Sequence, residues 1–234
     1  MLFVLFLAGA MFFYFSSAVD ASAAVRGDII LPPDTFEPTE SVITPSEIPT
    51  APTDSIDRFK DIDKTGWYVD GIKYALGHGL MNGVDTDKFE PNGNVTRAML
   101  VTVLYRLADK PSVSGATIPF TDVKSGDWYY DAVVWAYNKG IGNGTSETTF
   151  APNAPVTREQ LVTFLWRYVG QPASAQSLDA FPDNATVSSY AHTALQWAVE
   201  KSIINGNGGN LEPLGYATRA QIAVIFMRSE KVLA

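Results

Sequence analysis

The sequence predicts an all-α protein made of three tandem helix-loop-helix repeats, and three observations carry that expectation. Landmark residues return at a fixed step: Phe59, Phe120 and Phe181 stand 61 residues apart, and the threonines Thr96, Thr157 and Thr218 keep the same interval. A period of that length marks three related units and does not match the shorter periods of common helical solenoids. The apolar residues after each threonine fall at helical spacing, as in Leu161, Val162, Phe164 and Leu165, or Ile222, Ala223, Ile225 and Phe226. The threonines themselves read as helix N-caps, and Gln160 and Gln221, three residues on, complete capping boxes. Met99 stands at that place in the first unit and loses half of the box.

In chain order, residues 1–23 begin with an uncharged run, Leu2 to Leu7 and Phe12 to Phe15, and end on Ala21-Ser22-Ala23, small residues of the kind a signal peptidase accepts. The segment is expected to be a cleaved signal peptide or, if retained, a membrane anchor; either way the rest of the chain lies outside the membrane. Residues 24–57 are rich in Pro and Thr and lack a reason to collapse, so a disordered linker is expected. The units are assigned to residues 58–110, 119–171 and 180–232. In the first, a helix through Ile72, Ala75 and Leu76 is stopped by Gly77 and Gly79. Asn82-Gly83 then supplies positive φ, Phe89-Glu90-Pro91 plugs back toward the core, and Thr96 opens the second helix. The second unit repeats this with Trp128, Gly140, Asn143-Gly144, Phe150 and Thr157. The third has drifted: Tyr190 takes the Trp position, Ser202 replaces the stopping glycine, and Leu211 replaces Phe.

One feature of the helix starts breaks a local rule. Arg97, Arg158 and Arg219 follow the capping threonines, and a cation in a first helical turn opposes the positive end of the macrodipole. Open amides with a forked cation beside them form an anion site, which is the functional reading of these arginines. The structural alternative is that they pair with acids of a neighbouring unit. Arg106, Arg167 and Arg228 lie at helix C-termini, where a cation suits the dipole, and are read as structural. Asp61, Asp122 and Asp183 are expected to cap the turns that follow them. Trp135, Trp166 and Trp197 fall within helices and are expected in the core, while Trp67 and Trp128 divide evenly between core and an aromatic binding surface.

The order Phe-x-Asp, Trp-Tyr, Ala to Gly-Ile, Asn-Gly, Phe-x-Pro, Val-Thr-Arg, seen most completely from Phe120 to Arg158, resembles the S-layer homology module, usually found as three tandem copies. The resemblance covers residues 59–228. It implies a pseudo-threefold assembly of the three copies around a central helical bundle, and noncovalent binding of secondary cell wall polysaccharide, often pyruvylated, in grooves between copies. On that basis the carbohydrate-binding candidates are Arg97, Arg158 and Arg219, the threonines Thr96, Thr157 and Thr218, and an aromatic wall of Trp67, Trp128 and Tyr190. The family's Thr-Arg-Ala-Glu element lacks its glutamate in all three copies here. The chemistry agrees: an acidic sugar wants a flat ring for its apolar face and a forked cation for its charge. Arg158→Ala is accordingly expected to weaken wall binding without unfolding the chain.

Composition narrows the rest. A net charge of −8 and a pI near 4.7 argue against nucleic acid, which wants a broad basic surface. Cysteine is absent, and His78 and His192 occupy unrelated repeat positions, so no metal and no cofactor are expected. The acidic residues form no unique pair of the kind glycan hydrolysis requires, and threefold repetition favours binding over catalysis. Asp61-Ile62-Asp63 and Asp85-Thr86-Asp87 do not continue as a calcium loop. The expectation is a secreted, non-enzymatic anchor at the cell wall or S-layer of a bacterium, with S-layer or other surface proteins as further partners. A wall-glycan hydrolase and an extracellular protein-interaction scaffold are the rival readings.

Overall fold

The computed structural model describes residues 56–233. Each unit contributes a short and a longer helix: α1 (Val69–Gly77) and α2 (Arg97–Leu107), α3 (Tyr130–Asn138) and α4 (Arg158–Tyr168), α5 (His192–Glu200) and α6 (Arg219–Leu233). Among the described residues no strand occurs, and extended pairing is limited to isolated bridges, so this part of the chain is all-α. The leader at 1–23 and the linker as far as residue 55 lie outside the described residues. Ile56, assigned to the linker, is instead buried in a 3-10 turn, Ile56–Arg58, that opens the folded part.

The long helices start where the threonines predict. The Oγ1 atoms of Thr96, Thr157 and Thr218 each accept an amide three residues on, from Met99, Gln160 and Gln221, at 3.3 Å. The side chains of Gln160 and Gln221 return the bond to the threonine amides at 3.2 and 3.1 Å, completing the boxes that Met99 cannot make.

The short helices end in a shared way. Gly79 and Gly140 take φ of +64° and +68°, and the amides of Leu80 and Ile141 reach back to the carbonyls of Ala75 and Ala136. This double-bonded ending satisfies carbonyls the helix would otherwise orphan. The Asn-Gly turns differ from expectation: Gly83 and Gly144 do not take positive φ. They are glycine because a Cβ would strike the rings of Phe59 and Phe120 and the nearby carbonyls of Lys88 and Thr149. The requirement is close approach, not backbone hand.

Each short helix packs against the long helix of the preceding unit, α3 on α2 and α5 on α4, and α1 of the first unit packs on α6 of the last. Backbone hydrogen bonds just before the long helices trace the same circuit. Val95 N–H donates to Ala217 O at 2.9 Å, Ala217 to Val156 at 2.8 Å, and Val156 to Val95 at 2.9 Å. The next two amides of every long helix also go to a neighbouring unit: those of Arg97, Arg158 and Arg219 to the carbonyls of Ala154, Gly215 and Gly93, and those that follow to Pro152, Pro213 and Pro91. The helix N-termini are therefore closed, which corrects the expectation of open amides; their orphan donors are satisfied between units.

Phe89, Phe150 and Leu211 are the buried plugs of the three turns. Asp61, Asp122 and Asp183 do not cap the turns that follow them. Each accepts two amides 28 and 29 residues on, at Phe89 and Glu90, Phe150 and Ala151, or Leu211 and Glu212, over 2.7–2.9 Å. They pin each plug to the start of its unit and do not face a ligand site.

Candidate binding grooves between the units

The arginine beside each cap crosses into the next unit. Arg97, Arg158 and Arg219 are only 5–7% exposed, and their Nε atoms donate to the plug carbonyls of Phe150, Leu211 and Phe89 at 2.7–2.9 Å. Nη2 of Arg97 and of Arg219 donates to the carbonyls of Asn143 and Asn82, each at 2.6 Å. The guanidiniums of Arg97 and Arg219 also lie over the rings of Phe150 and Phe89, at 4.7 and 4.6 Å; Arg158 meets Leu211 and has no such ring. Burial pushes all three arginines below their ordinary pKa. Among the described residues none of them makes an ion pair, so both sequence alternatives are revised. The guanidinium is held by backbone carbonyls, which orient it without neutralising its charge. A side chain so placed also ties two units together, and the expectation that Arg158→Ala spares the fold is withdrawn.

The rings that were undecided are surface rings. Trp67 and Trp128 are 66% and 65% exposed, each set edge-on to the tyrosine that follows it. Trp135 and Trp197 are buried; Trp166 is half-buried with its Nε1 on the Pro172 carbonyl. A bare indole face is apolar area left in water, and Trp67 and Trp128 both border cavities. The first, of about 230 Å³, is lined by Trp67, Arg158, Asn205, Gln221 and Arg228; the second, of about 420 Å³, by Trp128, Arg219, Asn82, Met99 and Arg106. Each draws its tryptophan, inner arginine and outer arginine from three different units.

Of the outer arginines, Arg106 and Arg167 lie in the last turns of their helices as read from the sequence, whereas Arg228 lies inside α6, which runs on to Leu233. Arg106, Arg167 and Arg228 each donate one Nη1 to the carbonyl of Leu80, Ile141 or Ile203, at 2.9–3.4 Å, and Arg106 and Arg228 line the two cavities. Their shared 61-residue step was the available signal for the cavities they border, a position the helix dipole alone does not reveal. The threonines Thr96, Thr157 and Thr218 cap their helices, and none of them lines either cavity. Tyr190 is 48% exposed, and its hydroxyl donates to Glu159 at 2.8 Å. Among the described residues no cluster of His, Asp or Glu is placed to hold a metal ion, and no helix is long and apolar enough to cross a membrane.

Each of the two cavities thus brings together a bare indole ring and two arginines held by backbone carbonyls, groups that can stack on a ring and meet a negative charge. The sequence model of the S-layer homology domain matches residues 58–98, 119–162 and 180–223, more than half of the chain. The chain belongs to the S-layer homology family. It is 33% identical to an amylopullulanase of Thermoanaerobacterium thermosulfurigenes over 71% of this chain and 9% of that protein. It is 28% identical to the surface-layer 125 kDa protein of Lysinibacillus sphaericus over 82% of this chain and 16% of that one. A cellulosome-anchoring protein of Acetivibrio thermocellus is 28% identical over 63% of this chain and 32% of its own length. The chain thus spans a third or less of the length of these relatives, and what it shares with the amylopullulanase is a small part of that protein.

Proposed function

We propose that this S-layer homology protein is a noncovalent anchor at the bacterial cell wall, binding an acidic, pyruvylated secondary cell wall polysaccharide in the grooves between its units. The observation that carries the reading is the recurrence, in two grooves, of a two-thirds-bare tryptophan beside a cavity lined by a buried arginine and a second arginine from another unit. Family membership and the anchoring and surface-layer relatives support it. The circuit of contacts supports a pseudo-threefold arrangement of residues 58–110, 119–171 and 180–232, in which α2, α4 and α6 form the central bundle. The protein acts outside the cell, without metal, cofactor or catalysis, and any surface-protein partner is reached through the wall it holds. Net charge of −8 disfavours an acidic ligand at long range, so affinity comes from the local guanidiniums and from stacking.

The test is cosedimentation with purified walls. Walls stripped of protein should still pull the chain down, and walls stripped of the secondary polymer should not. Trp67→Ala with Trp128→Ala removes only exposed rings and should reduce retention about tenfold or more at an unchanged circular dichroism spectrum. Arg106→Ala with Arg228→Ala should act in the same direction. Retention that follows wall protein instead would favour a scaffold, and clearing of a peptidoglycan suspension would favour a hydrolase.

A further inference from the structure

The third groove, at Arg97, Arg167 and Tyr190, is built differently from the other two. Glu159 stands where the other units carry Ala98 and Ala220, and it is 2% exposed. A carboxylate this buried must be fully bonded. It accepts the Ser188 amide at 3.0 Å, the Ser188 hydroxyl at 2.7 Å and the Tyr190 hydroxyl at 2.8 Å, and among the described residues no cation pairs with it. Tyr190 occupies the place that Trp67 and Trp128 hold elsewhere, but its polar end is drawn down onto the wall of its own groove. Burial, and after it the bond to Glu159, pushes its phenol up to about 12. The same hydroxyl lies within electrostatic reach of both Arg97 and Arg167, the two cations of this groove.

These contacts have two consequences. The tyrosine hydroxyl is committed to Glu159 on the groove wall, within electrostatic reach of the two cations, whereas Trp67 and Trp128 stand bare beside their cavities. An acidic ligand entering here would also bring its charge toward a buried carboxylate that cannot move away without abandoning three bonds. We infer that this groove is closed by its own side chains, and that the chain is a bivalent binder with one acidic-sugar site at Trp67, Arg158 and Arg228 and one at Trp128, Arg219 and Arg106. The inference rests on the glycan reading above. Two sites on one rigid body engaging a polymer give an avidity that neither has alone.

Titration calorimetry of the full chain with a methyl hexopyranoside carrying a 4,6-pyruvate ketal tests it. Two equivalents should bind per chain; Trp67→Ala should leave one, and Trp67→Ala with Trp128→Ala none. Both tryptophans are exposed, so these variants keep the fold, which circular dichroism checks. Glu159→Ala with Tyr190→Trp, which restores the residues of the other units, should add a third equivalent. One or three equivalents in the wild type, or an equivalent that survives loss of both tryptophans and disappears with Tyr190→Ala, overturns the inference while leaving the glycan reading intact. No binding by the wild type overturns both.

Discussion

A single side chain in this protein is judged by where its partner lies. Asp183 illustrates it. Burial acts to raise its carboxyl, but the amides of Leu211 and Glu212, with Arg158 at longer range, outweigh that and hold it below the ordinary value of 3.8. A depressed folded-state pKa stabilises the fold above the unfolded carboxylate value of about 3.9 and loses that contribution as pH falls through the lower, folded-state value. Asp183→Asn keeps the shape but loses the charge and one acceptor. The stability difference between wild type and Asp183→Asn, from urea melts, should therefore be largest near pH 6 and shrink toward pH 2.5. A difference independent of pH would mean that the carboxylate charge is idle in this clamp. The arginines obey the same logic: carbonyls fix their position, and the carboxylates of the neighbouring unit act on them only across a distance.

At the scale of an element, most of what decides a helix is local. The third unit places Ser202 at φ 57° where its counterparts Gly79 and Gly140 sit, and it still forms the same ending, with Ile203 donating to Ala198 at 2.8 Å. A non-glycine residue in that conformation costs about 1 kcal/mol. Ser202→Gly should raise stability by about that amount, read as a higher urea midpoint with unchanged slope; a lower midpoint would show that the serine side chain holds something the geometry does not reveal. This locality explains what was legible in advance. The capping threonines, the two complete boxes, the stopping glycines and the buried plug at Phe150 were all written in stretches of a few residues. The partners of the clamps and arginines were not, because Arg219 finds Phe89 and Asn82 at separations of 130 and 137 residues, and no short-range pattern encodes such a pairing. Lacking those partners, the sequence reading left the helix N-termini open, and it placed Arg228 at a helix end although α6 runs on to Leu233. Gly83 was misread for a related reason: its need is set by a ring 24 positions away, that of Phe59.

For the folded unit as a whole, the deciding feature is that the circuit of contacts closes. In an open stack of repeats, removing the last one costs one interface and leaves the others standing. Here α6 is the packing partner of α1, Ala217 bonds to both Val95 and Val156, and Leu211 holds Arg158. Deleting residues 180–234 would strip α1 of its cover and leave the Val95 amide and the Arg158 guanidinium without their acceptors. The carbonyls of Gly93 and Pro91 would lose the donors that α6 provides. Each orphaned buried group costs about 1–3 kcal/mol, and together they approach the whole stability of an ordinary domain. The full chain is therefore expected to unfold in one transition, coincident by tryptophan fluorescence and far-ultraviolet circular dichroism, whereas the chain ending at residue 179 should show no cooperative transition at all. A truncated chain that keeps two-thirds of the helical signal and melts sharply would mean that the units stand alone and that closure of the circuit adds little. In that case the grooves, each assembled from three units, would have no fixed shape in which to hold a sugar.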